Sequence, residues 1–314
     1  MLRQNNNYII GVDGGGAKTV AALANLNRKI LASAKTGSSN SRNLGLKRAM
    51  DNVALVIKIV LARIKKGEKI ASTFLGLPCL EEEYKFKKGK IKKELLKHRE
   101  ISPIFKGKVI IGSDQLVGFR SGTEKSYGLV LIAGSGCVVH GWSEKNEIKV
   151  DGWGYLTEQG SAFWIGQKGL QAVFNDLDGR GPRTLITNLV FQKFKIKNKI
   201  DLLEKIYLKN PIEVVPTLSV LVDEAGRKND KVAKKILTQA ARELALSAEI
   251  AIKKLNFSKR EFPVVLIGSV FKSKSVSDTV KMEIKKIAPK ADFIIPKKEA
   301  VVGAVKLALE SLPR

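Results

Sequence analysis

The stretch YIIGVDGGGAKTV (Tyr8 to Val20) constrains the fold more than any other. Tyr8 to Val12 is a short apolar strand. The turn DGGGAKT that follows leads into VAALANL (Val20 to Leu26), a second strand, and past an Asn-Arg turn into KILASAK (Lys29 to Lys35), a third. A dinucleotide fingerprint needs its glycines to open a helix, and a Walker loop needs Gly-Lys-Ser/Thr at a helix head. Neither context is present. What remains is a hairpin loop whose backbone N–H groups can face a phosphate. The pattern returns in YGLVLIAGSGCVVHGW (Tyr127 to Trp142), again strand, glycine turn, strand. A repeated unit of this kind predicts a duplicated α/β fold of two lobes, with a phosphate loop on each wall of an interlobe cleft.

The rest of the chain fits alternating strands and helices. Gly45 to Gly67 carries Met50, Val53, Ala54, Ile57, Val60, Leu61 and Ile64 at helical spacing. Ile70 to Leu77 reads as a strand, and KVIIGSD (Lys108 to Asp114) as another that ends at an acid. Helical periodicity marks Ser161 to Asp176, Thr184 to Phe194, Pro211 to Asp223 and Lys231 to Leu255. Phe262 to Val270 is a buried strand running into a Gly-Ser turn, DFIIP is a last strand, and Ala300 to Leu312 a final helix.

With 314 residues the chain is long enough for two lobes with a core each. Its start is polar, no apolar run is long enough to cross a bilayer, and two cysteines make neither a disulfide framework nor a metal spacing. These features predict a cytoplasmic protein. Lys and Arg number 56 against 30 Asp and Glu, a formal net charge of +26. Such a field attracts anions, nucleic acid included. The lysines are spread along the chain, and their densest run (Tyr84 to Glu100) has few aromatic residues for stacking, so a solvated surface is the preferred reading.

The motifs GVDGGGAKT, SSN, GSDQLVG, IAGSG, GWG, GSAFWIG, LIGSVF and VVGAVKLAL occur in this order. Together they resemble the BadF-type ATPase/N-acetylglucosamine kinase family of the actin–Hsp70–sugar kinase superfamily. The resemblance covers nearly the whole chain. It implies the two-lobed, actin-like (duplicated ribonuclease H-like) α/β fold, with residues 1–119 plus a C-terminal helix 299–314 as one lobe and 120–298 as the other. It implies an ATP-dependent kinase acting on a hexose or amino sugar, with Mg²⁺, as a homodimer. The first loop, including Asp13, Gly14, Gly15, Gly16, Lys18 and Thr19, would approach the terminal phosphates, with Asp13 facing the metal. Gly134, Ser135 and Gly136 would take phosphates in the other lobe, and Gly268 and Ser269 would sit in the adenosine loop. Asp114 would be the base for the sugar hydroxyl. Asn40, Gly152, Trp153 and Glu158 would lie on the sugar side.

Plain structural readings stand beside these. Asp13 suits a turn, and Asp114 suits the N-cap of a helix over Gln115 to Arg120. Trp153 and Trp164 suit lobe packing, and Cys79 and Cys137 read as small buried residues. His98 and His140 read as incidental. The chemistry supports the site reading independently: phosphoryl transfer needs positioning and charge neutralisation, which glycine-loop N–H groups and a strand-end carboxylate supply.

The chain also departs from the family's pattern. Ala17 stands where a threonine is common, GSGC where GTGS is common, and Pro78 where a small residue with an N–H is common. The GWGYLTEQGS segment is one residue short, with Glu158 where relatives carry an aspartate, and Asp151 replaces a glycine. These changes predict an altered acceptor or a weakened kinase. Two other readings stay open: an activator of a radical dehydratase, and a non-catalytic nucleotide- or nucleic-acid-binding member of the fold.

Overall fold

The computed structural model describes residues 7–65, 67–78, 85–208 and 210–313. Cys79 lies outside them. The chain forms two compact units, Met1–Lys125 with Pro296–Arg314, and Ser126–Ile295.

In the first unit, β1 (Asn7–Gly14), β2 (Thr19–Asn25) and β3 (Ile30–Thr36) form the expected antiparallel meander, and β4 (Lys69–Leu77) and β5 (Lys108–Ser113) continue the sheet parallel to β1. The strand order is β3-β2-β1-β4-β5. Alternate β1 residues serve opposite faces, as the two-residue period of a strand demands. Ile10 and Val12 pack with Met50, Val53, Ala54, Ile57 and Val60 of helix α2 (Leu46–Leu61), which follows the short α1 (Ser41–Leu44). Helix α2 ends at Leu61, short of the Gly67 expected. Ile9 packs on the other face with Val117 of α4 (Asp114–Gly122) and Val301, Ala304 and Val305 of the C-terminal helix (Val301–Glu310). At Gly11 that helix comes so close that a Cβ would overlap Val305 N. Helix α3 (Lys85–Leu95) lies within the lysine run and packs on α2, with Ile91 and Leu95 buried.

The second unit repeats the topology. Strands β6 (Gly128–Ala133), β7 (Cys137–Trp142) and β8 (Glu147–Asp151) form an antiparallel meander, and β9 (Phe262–Ile267) and β10 (Ala291–Ile294) extend it in parallel. The order, β10-β9-β6-β7-β8, is again third, second, first, fourth, fifth read from the other edge. This duplication is the one the two strand–glycine–strand stretches predicted. Its helices are α5 (Ala162–Leu177), α6 (Leu185–Phe194), α7 (Lys199–Tyr207), α8 (Pro211–Val214), α9 (Ser219–Arg227), α10 (Lys231–Lys254) and α11 (Lys274–Ile287), so the C-terminal helix is α12. The single helix expected over Pro211 to Asp223 is broken: α8 passes through a 3-10 turn at Val215–Leu218 before α9 begins. Pro216 lacks the N–H that a continuous helix would use.

Candidate active site

The first glycine loop is a tight hairpin whose carbonyls are tied inward. Gly15 N donates to Lys18 O at 2.9 Å. Gly15 O in turn accepts from Ser39 N at 3.1 Å and from Ser38 Oγ at 3.2 Å. Gly16, Ala17 and Lys18 are left exposed. Among the described residues no hydrogen bond engages the N–H of Gly16 or Ala17, so both are available to an anion. Gly14 has to be glycine, because a Cβ would overlap the Ser39 hydroxyl. Thr19 lies fully buried in β2, its hydroxyl donating to Gly37 O at 2.8 Å. It anchors the loop and has no free hydroxyl to offer a phosphate.

Asp13, the penultimate residue of β1, is half-buried. Burial pushes its carboxyl up to about 6; the Lys18 ammonium pulls it down and Glu299 adds a smaller upward push. Register sets Asp13 opposite Gly76 of β4, and Leu77 of β4 opposite Ser113 at the end of β5. Asp13 and the start of α4 therefore stand at the carboxyl ends of parallel strands that flank β4, about 10 Å apart at the usual strand spacing. Ligands of open α/β sheets sit outside such strand ends.

Asp114 is the first residue of α4, and the cap is its neighbour: Ser113 Oγ accepts from Leu116 N at 3.2 Å. This corrects the N-cap reading of Asp114. The Asp114 carboxylate accepts from Gln115 N at 3.0 Å and remains half-buried. Asn40, expected on the sugar side, caps α1, its Oδ1 accepting from Arg42 N at 2.9 Å. Beside it the Ser39 hydroxyl is buried and has no hydrogen-bond partner among the described residues.

The second glycine loop is held in the same manner. Gly134 N donates to Gly136 O at 2.9 Å, while Ala162 N and Phe163 N, in the first turn of α5, donate to Gly134 O and Ser135 O at 2.8 and 3.3 Å. With the carbonyls bound, no hydrogen bond engages the N–H of Ser135 or Gly136 among the described residues. Gly268 follows β9, whose neighbour β6 runs into this loop. Gly268 has φ 116°, and a Cβ there would overlap Ala133 O. Ser269 is exposed beside it.

Glu158 is buried, and both its oxygens are occupied: Oε2 accepts from Cys137 N at 2.9 Å and Oε1 from Gly154 N at 2.7 Å. Burial pushes its carboxyl up, these two N–H bonds pull it down, and Asp151 and Lys149 add smaller opposed effects. Asp151 holds the left-handed conformation (φ 64°) that suits the glycine of relatives, and its carboxylate accepts from the buried Ser247 hydroxyl. Gly152 and Gly154 also have positive φ, at 82° and 119°. Trp153 at the apex of this turn is 60% exposed, with Lys149 Nζ 4.6 Å from its ring centre. The packing reading thus holds for the buried Trp164 and fails for Trp153. Cys137 is buried as expected; burial, then Asp151 and Glu158, push its thiol far above the usual range.

Among the described residues no group of three or more His, Cys, Asp and Glu side chains could hold a metal, and no helix is long and apolar enough to cross a membrane. One carboxylate beside N–H groups that are open to an anion suits Mg²⁺, which keeps most of its water and binds through few protein oxygens.

The chain is 26% identical over 306 residues to the N-acetylmuramic acid/N-acetylglucosamine kinase of Clostridium acetobutylicum, covering 96% of this chain and 98% of that one. It is 29% identical over 320 residues to the N-acetyl-D-glucosamine kinase of Dictyostelium discoideum, with the same coverages. The crystal structure of an N-acetylglucosamine kinase candidate from Chromobacterium violaceum superposes with a TM-score of 0.75 at 21% identity, covering 96% of this chain and 98% of that one, so the actin-like sugar kinase fold is shared. The pattern of the BadF/BadG/BcrA/BcrD ATPase family matches residues 10–308, and the chain belongs to that family.

Proposed function

We propose that this protein is an ATP-dependent kinase that transfers a phosphoryl group to a hydroxyl of an N-acetylated amino sugar. The observation that carries the reading is the pairing at the carboxyl edge of the first sheet. A loop with outward N–H groups and a carboxylate (Gly14 to Lys18, Asp13) stands two strands from a second carboxylate at a helix start, Asp114. Asp13 would hold Mg²⁺, which would neutralise phosphate charge when bound. The N–H groups of Gly16 and Ala17 meet the terminal phosphate oxygens, and Lys18 adds a positive charge. Asp114 orients the sugar hydroxyl and accepts its proton as the oxygen attacks phosphorus. In the second unit Ser135 and Gly136 bind nucleotide phosphate, and Gly268 and Ser269 flank the adenosine. The names of the relatives support an N-acetylhexosamine as acceptor, and Asn40, Trp153 and the unpartnered Ser39 hydroxyl are the residues to test for sugar contact. A cytoplasmic homodimer goes with this reading.

The test is ADP release from Mg-ATP across glucose, glucosamine, N-acetylglucosamine, N-acetylmannosamine, N-acetylmuramic acid and mannose. The sugar product is identified by a mass gain of one phosphoryl group. Turnover raised by an N-acetylated sugar supports the proposal. ATP hydrolysis indifferent to every sugar would defeat it.

A further inference from the structure

We propose that Glu158 is a positioning residue for the nucleotide, a strut that fixes the β6–β7 phosphate loop, and not a sugar ligand. The inference rests on reading that loop as a nucleotide site. Each of its carboxylate oxygens is already engaged by a backbone donor: one holds Cys137 N where the loop enters β7, the other holds Gly154 N in the Gly152–Gly154 turn. The Glu158 backbone works on the same loop from the other side. Its carbonyl accepts from Ser161 Oγ at 3.2 Å, and Ser161 caps the α5 terminus whose Ala162 and Phe163 N–H groups hold Gly134 O and Ser135 O. Both ends of the loop are therefore referred to one residue.

The fit is close. A Cβ on Gly136 would overlap Glu158 Oε2, so with Glu158 in this position only glycine fits at 136. A carboxylate against a loop that receives an anion is electrostatically unfavourable unless its charge is absorbed. Two charge-assisted N–H bonds and the nearby Lys149 absorb it here. The turn it reaches is pinned again by Asp151 on Ser247 and by Lys149 Nζ on Gly152 O at 3.4 Å. Glutamate spans from the turn to the loop in a segment one residue short of the family's pattern. A shorter side chain would not reach both N–H groups.

Glu158→Gln and Glu158→Asp separate this from a sugar-contact role. Glutamine keeps the shape but turns an NH₂ toward one of the two N–H groups, leaving a buried donor unmet. Aspartate falls short of one of them. For both variants ADP affinity, by calorimetry, and KM for ATP are expected to weaken about tenfold, with KM for the sugar changed less than about twofold. A raised sugar KM with unchanged ADP affinity would overturn the proposal in favour of sugar contact. A lower melting temperature with both affinities unchanged would overturn it in favour of a purely structural role. ADP binding is read without any sugar: a wild type that binds no ADP refutes the nucleotide-loop reading and the proposal with it. Wild type and variants that bind ADP equally refute the proposal alone.

Discussion

Gly268→Ala tests how the proposed adenosine side of the site is built. Gly268 leaves β9 with φ 116°, a region that L side chains rarely adopt, and its missing Cβ makes room for Ala133 O at the end of β6. The strained backbone costs about 1–3 kcal/mol. Overpacking against a backbone carbonyl that no rotamer change can move costs about 1–3 kcal/mol more. The sum is about 2–6 kcal/mol. At about 2–4 °C per kcal/mol, the melting temperature should fall by on the order of 10 °C. The overlap can be relieved only by moving Ala133, which leads directly into Gly134, so ADP affinity should fall at least tenfold. Thermal unfolding followed by circular dichroism and an ADP titration measure the two effects. Ser269→Ala, one residue on and exposed, is the control and should unfold like wild type. A Gly268→Ala protein that melts within about 2 °C of wild type and binds ADP normally would refute the reasoning.

Two further outcomes follow from the buried acids and thiol. The Asp13 carboxyl, raised by burial from 3.8 to about 6, is ionised above pH 6 at a cost to the fold. A raised acid stabilises the folded state when protonated and loses that contribution as pH rises through its folded pKa. Asp13→Asn should therefore gain on the order of 3 kcal/mol at pH 8, gain little near pH 4, and lose Mg-ATP turnover. Melting curves at the two pH values and a steady-state assay check this. In a Cys79→Ser background, Cys137 should resist a thiol reagent at pH 8 until denaturant is added, because burial and two neighbouring carboxylates oppose its thiolate. Labelling of the native protein within minutes would contradict that environment.

The duplication was legible because it rests on period-two strands broken by glycine, a pattern written in adjacent residues. Helix α2 was legible for the same local reason. Helix α3 was hidden because Phe86, Ile91 and Leu95 are its only large apolar residues amid the lysines, so the charge run carried no readable apolar face. Helix α11 did carry a signal, a capping Ser273 followed by Val276, Val280 and Ile284 at four-residue spacing. Strand β8 is short, half-buried and at the sheet edge, and so shows little alternation.

At the site, the residue types that phosphoryl transfer requires could be read in order along the chain, but their hydrogen-bond partners could not. That Thr19 is spent on Gly37 O and Glu158 on Cys137 depends on segments that meet only after folding, whereas Asn40 is spent locally, capping α1 through Arg42 N. The same holds for Asp151. Its departure from glycine makes sense only once Ser247 of α10 reaches its carboxylate across nearly a hundred residues.

The central claim is that Asp114 accepts the proton of a sugar hydroxyl while ATP is held elsewhere. The most direct test compares sugar-stimulated ADP release by wild type and Asp114→Asn, with ATP binding measured on both. The account predicts that the variant binds ATP as wild type does, keeps its melting temperature within about 2 °C because Ser113 still caps α4, and loses sugar-stimulated turnover by about 10²-fold or more. Sugar-stimulated turnover retained in Asp114→Asn would contradict it.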